Sequence, residues 1–191
     1  MTDALIVIDV QKGFEEPLWG PRNNPDCEAN VARLIAAWRE ADQPLVFVRH
    51  DAGVEGYALD PGHPGNNLRD VVSGEPALFI TKSTNSAFYG SPNLDEWLKS
   101  NDIENLTICG IATDWCCDVT ARMAGNLGYD VHFVLDATHT FDREDAEGVI
   151  PAALVARVTA ASLDGEFATV ESTTDAVQRI ASGDSAHDSD N

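Results

Sequence analysis

At 191 residues, with 43% apolar and 23% charged side chains, the chain is the size of one domain and carries none of the biases of collagen-like, coiled-coil or disordered sequences. Thirty-two acidic against twelve basic residues leave a net charge of -20, which repels phosphate backbones and anionic headgroups and argues against nucleic acid or a membrane as partner. No apolar run approaches the roughly 20 residues of a spanning helix, and Cys27, Cys109, Cys116 and Cys117 lack paired C-x-x-C spacing, so a cytoplasmic protein with free thiols is expected.

In chain order, Ala4 to Ile8 is a continuous apolar run closed by Asp9, the pattern of a strand buried on both faces. Val31, Leu34, Ile35 and Trp38 recur at helical spacing between Asp26 and Ala41, and Pro44 separates this helix from a second strand, Leu45 to Val48. Residues 51–76, rich in Gly, Pro and Asn, predict a long loop before a short strand at Ala77 to Ile80. Ser91-Pro92 is expected to open the next helix, with Leu94, Trp97 and Leu98 as its buried stripe. Leu106 to Gly110 predicts a fourth strand, and Thr113 a cap for a helix running to about Asn126. Val131 to Leu135 predicts a fifth strand, Asp145 to about Leu163 a helix, Ala168 to Val170 a sixth strand and Thr173 to Ile180 a last helix. The expectation is therefore one doubly wound α/β domain over residues 1–182, a six-stranded parallel sheet with helices on both faces, followed by an acidic tail at 183–191 expected to be disordered.

Ligands of such sheets bind beyond the carboxyl ends of the strands. There the sequence sets Asp9 after the first strand, Lys82 about two residues after the third, and Cys116 in the first turn of the helix after the fourth. A helix start and an adjacent ammonium favour a thiolate, so Cys116 reads as nucleophile, Lys82 as its electrostatic support and Asp9 as acid and base. The backbone N–H groups of Ala112 and Cys116 are candidates for an oxyanion hole. Taken singly, each residue has a plain structural reading as a cap, a surface charge or a small core side chain; the functional reading rests on their sharing one sheet edge. Phe14, Trp19, Phe88 and Trp115 are candidate pocket walls, with His139 after the fifth strand. His50 and Asp51, with His63, suggest metal ligands, but sequence neighbours on a strand face opposite ways, so no metal is expected. Gly110-Ile-Ala-Thr113 lacks the spaced glycines of a dinucleotide or phosphate loop, so no cofactor is expected either.

Ile8-Asp9-Val10-Gln11 with Phe14, Thr81-Lys82-Ser83 with Asn85-Ser86-Ala87-Phe88, and Gly110-Ile-Ala-Thr-Asp-Trp-Cys116 with Thr120-Ala121 resemble, in order and over nearly the whole chain, the isochorismatase-like cysteine hydrolases. The resemblance implies an Asp9, Lys82, Cys116 triad, a cis peptide between Ile111 and Ala112 that shapes the oxyanion hole, and a homo-oligomer of two or more subunits acting on a small molecule. Nicotinamidases of this group carry a metal-binding Asp-x-His, where this chain reads Arg49-His-Asp-Ala. Members that cleave a vinyl ether have Gly in place of the nucleophilic Cys. Cys116 thus points to metal-independent amide hydrolysis through a thioester, the alternative being an idle member of the fold that serves as a binding subunit.

Overall fold

The computed structural model describes residues 2–183, and the tail expected at 183–191 lies outside them from residue 184 on. The strands are β1 (Asp3–Ile8), β2 (Leu45–His50), β3 (Leu78–Lys82), β4 (Asn105–Ile111), β5 (Asp130–His139), a short antiparallel pair β6 (Arg143–Asp145) and β7 (Gly148–Ile150), and β8 (Thr169–Glu171). Six of them form a parallel sheet in the order β3-β2-β1-β4-β5-β8. Residues 3–8 of β1 are all buried because the sheet is covered on both sides. Ala4, Ile6 and Ile8 pack with α2 (Leu94–Ser100), α3 (Asp118–Asn126) and α4 (Ala152–Leu163); Leu5 and Val7 pack with α1 (Cys27–Glu40) and α5 (Thr173–Ser182). The strand order reverses between β1 and β4, and such a switch point opens a crevice at the carboxyl edge.

Three expected helix starts are corrected. Residues 143–150 form the β6–β7 hairpin rather than the first turns of α4: the Asp145 carboxylate accepts from the N–H groups of Glu147 and Gly148, Gly148 takes φ +130°, and Pro151 keeps the chain extended until Asp142 accepts from Ala152 N at 2.7 Å. α2 is capped by Asn93, whose Oδ1 accepts from Glu96 N, while Ser91 is engaged in backbone pairing with Thr81 and precedes a cis proline. Thr113 caps nothing: its hydroxyl pairs with that of Thr138 at 2.8 Å, and residues 113–117 form a π turn ahead of α3. All four cysteines are free, and among the described residues no helix is long and apolar enough to cross a membrane.

Candidate active site

At the switch point, β1 ends and Asp9 adopts φ 51°, in the left-handed region that few non-glycine residues occupy, with its N–H bonded to the Val48 carbonyl at 2.9 Å. On the neighbouring strand, Gly110 at φ +128° lies so close to β1 that any Cβ would collide with the Ile8 carbonyl, so only glycine fits before the cis Ile111–Ala112 peptide. The Ala112 carbonyl then accepts from both Trp115 N (3.1 Å) and Cys117 N (3.2 Å), the second bond widening the turn that carries Cys116. Lys82 closes β3 rather than following it, directly opposite His50 in the β2–β3 register.

These elements bring three of the expected residues together. Lys82 Nζ is 2.6 Å from Asp9 Oδ2 and 3.3 Å from Cys116 Sγ, and the Asp9 and Lys82 side chains have no exposure to solvent. Cys116 is 6% exposed, its sulfur 4.0 Å from Asn85 Oδ1, so the thiol is shielded without being sealed. Burial lowers the proton affinity of Lys82, but Asp9 and Cys116 outweigh it and hold the ammonium above its ordinary range. For Cys116 the balance goes against the expected thiolate. Burial and then the Asp9 carboxylate push the thiol up, and Lys82 offsets only part of this. Asp9 and Lys82 thus form a buried ion pair beside a sulfur whose surroundings favour the thiol.

The remaining candidates separate. Phe14 and Trp19 lie 4.8 Å apart between ring centroids, Trp19 is 6.3 Å from Trp115, and Trp115, 39% exposed, lies under the Arg143 guanidinium at 3.9 Å. Phe88 instead sits in the core cluster that includes Cys116, against Tyr129. His139 is fully buried, edge-on to Phe141, and among the described residues neither ring nitrogen has a hydrogen-bond partner.

That burial has an acid-stability consequence. Burial, and then the charge of Arg22, lower His139 from its ordinary 6.5 to about 3. Unfolded chains take up a proton at this position below pH 6.5 and the folded one does not, so stability is lost as pH falls from 6.5 toward 3. By pH 5 the loss is about 2 kcal/mol. Urea unfolding at pH 7 and pH 5 checks this: the pH difference should shrink by about that amount in His139→Gln, and an unchanged difference rejects it.

Asp51 is held by Arg49 (2.8 and 3.0 Å) and Asn66 (3.0 Å), while His63 Nδ1 accepts from Gly65 N, so these residues do not converge with His50 on a metal position. Among the described residues, the donor set that does converge is Asp9, His50 and Cys116, with ligand atoms within 4.8 Å of one another. Lys82 Nζ already bonds to all three, with His50 Nδ1 at 3.1 Å, so a divalent ion there would face an ammonium. That donor set does not fit a divalent metal. Sequence reasoning placed His50 only as a possible ligand; its pairing with Lys82 depends on a strand register that composition does not reveal.

Comparisons with known proteins show the family and the fold. The family model described as Isochorismatase domain matches residues 3–162. The isochorismatase family protein YrdC of Bacillus subtilis is 36% identical over 89% of this chain and 91% of its own. Nicotinamidase 3 of Arabidopsis thaliana is 30% identical over 77% and 78%, and streptothricin hydrolase of Streptomyces noursei 29% identical over 85% and 60%. Among solved structures, an isochorismatase-family protein of Chromobacterium violaceum superposes with TM-score 0.89 at 35% identity over 95% of this chain and 94% of that one. A cysteine hydrolase of Pseudomonas syringae superposes with TM-score 0.85 at 26% identity over 95% and 93%.

Proposed function

Because the chain belongs to the isochorismatase family of hydrolases, we propose that it is a metal-independent cysteine hydrolase that cleaves the C–N bond of a small amide through a thioester acyl-enzyme. The observation that carries this is the buried Lys82 ammonium bridging the Asp9 carboxylate and the Cys116 sulfur. The sulfur starts as a thiol, so its proton passes to Asp9 as Sγ bonds to the substrate carbonyl carbon. The oxyanion of the tetrahedral intermediate is taken by the Ala112 and Cys116 N–H groups. Collapse breaks the C–N bond, and Asp9 returns the proton to the departing amine. Water then attacks the thioester carbonyl, Asp9 accepting its proton, and the acid departs as Cys116 recovers its hydrogen. Lys82 stays protonated throughout, its charge offset by the Asp9 carboxylate at rest and by the oxyanion while Asp9 holds the proton. A relative named for nicotinamide and a neighbour named a cysteine hydrolase support the amide and the nucleophile respectively.

Intact-protein mass spectrometry after brief incubation with pooled small amides tests the proposal. The expected result is an acyl adduct localised to Cys116, absent from Cys116→Ala. Turnover of any amide at the same rate by Cys116→Ala overturns the nucleophile, and neither adduct nor turnover across the pool favours an idle binding subunit.

A further inference from the structure

Taking that chemistry as its basis, we infer that His50 is a positioning residue: its neutral imidazole accepts the third N–H of the Lys82 ammonium and so fixes where the other two point. An ammonium has three donors and no acceptor. The Lys82 side chain is wholly buried, so water cannot serve it, and its three neighbours are Asp9 Oδ2 at 2.6 Å, Cys116 Sγ at 3.3 Å and His50 Nδ1 at 3.1 Å. With all three acceptors in place the ammonium cannot rotate away from the sulfur. Without the third, one buried N–H is left to compete for Asp9.

His50 is itself held by side chains from two loops. β2 runs on past the end of β1, and the buried Gln11 side chain takes over the missing ladder: Gln11 Oε1 accepts from His50 N at 2.9 Å and Gln11 Nε2 donates to His50 O at 3.0 Å. Asn66 Nδ2 donates to the same carbonyl at 3.0 Å and its own carbonyl accepts from Gln11 Nε2 at 2.9 Å. Two buried amides from separate loops thus lock the backbone of one residue at the end of a strand, fixing where its ring meets Lys82.

For Nδ1 to accept, the ring must be uncharged with its hydrogen on Nε2. The titratable and charged groups around it are Lys82 from β3, Asp9 after β1, Cys116 from the π turn and, on its own strand and just after it, Arg49 and Asp51, which pair with each other. Burial and Lys82 lower the proton affinity of His50 below its ordinary value, with Asp9 and Asp51 opposing them. Acidification would therefore remove an acceptor and set a second cation against Lys82.

The experiment uses the native protein, His50→Asn, whose Oδ1 stands near the place of Nδ1, and His50→Leu, which offers no acceptor. Long-range proton–nitrogen NMR of the native protein should show His50 neutral, with its hydrogen on Nε2, at pH 6.5. Alkylation of Cys116 by iodoacetamide, followed by mass spectrometry from pH 6 to 10, should be about tenfold slower in His50→Leu and within about threefold of native in His50→Asn. A charged His50 at pH 6.5, a native rate in His50→Leu, or a rate in His50→Asn as low as in His50→Leu overturns the inference. If His50→Leu fails to fold, the NMR tautomer and His50→Asn still decide it. None of these measurements needs a substrate, so failure to find a hydrolysed amide counts against the proposed function and leaves this inference standing.

Discussion

Asp9→Asn should slow turnover of any amide that acylates Cys116 by about 10³-fold while making the same sulfur more reactive toward iodoacetamide at neutral pH. The two effects have opposite signs because Asp9 has two opposite influences. Its carboxylate is the second largest cause, after burial, that keeps the thiol protonated, and Lys82 is what pulls the other way. An uncharged amide at position 9 removes the opposition, leaves the ammonium facing the sulfur alone and shifts the thiol toward thiolate. Alkylation needs only the thiolate, so it speeds up. Hydrolysis also needs a group that receives the thiol proton, returns it to the departing amine and then activates water, and Asn does none of these. Steady-state kcat with parallel alkylation rates checks this. A fall in both would mean that Asp9 serves only to hold the site together. A rise in alkylation with unchanged turnover would mean that a preformed thiolate suffices.

How far this site could be read without coordinates depends on which of its features are local. The continuous apolar runs Leu5 to Ile8 and Leu106 to Gly110 are strands because nothing else buries them on both faces, and their order fixed a parallel sheet with Asp9 and Cys116 at one edge. Lys82 was legible as a neighbour on the same reasoning. The hairpin at 143–150 was not: Arg143, Asp145 and Val149 suit a helix nearly as well as a turn, and the outcome was decided by the Asp145 carboxylate and the backbone of Gly148. Thr113 looked like a cap because hydroxyls favour that place, yet Thr138, 25 residues away, engages it. A helix start and a cation, both visible in the sequence, favour a thiolate, whereas the burial that opposes it arises only when α2, α3 and α4 close over the sheet. His50 was equally beyond reach, since its partner is set by the β2–β3 register and its orientation by side chains from two loops.

Lys82→Met should destabilise the fold by about 3–5 kcal/mol at neutral pH, and adding Asp9→Asn should restore most of that loss. Methionine matches the length of the lysine stem and fills the same space, so the cost is electrostatic rather than a cavity. Asp9 is fully buried; among the described residues Oδ1 has no hydrogen-bond partner, and Lys82 bonds to Oδ2. Removing the ammonium leaves an uncompensated carboxylate in an apolar setting, the case in which a broken buried pair costs most. Chemical denaturation of both single variants and the double at pH 7 provides the cycle, with a coupling of about 2–4 kcal/mol expected. Simple additivity would show that the two side chains are independent and that the ion pair seen between them carries no energy. The same Lys82→Met protein should alkylate Cys116 more slowly than native, the reverse of Asp9→Asn, because the cation that favours the sulfur anion is gone while the carboxylate that opposes it remains.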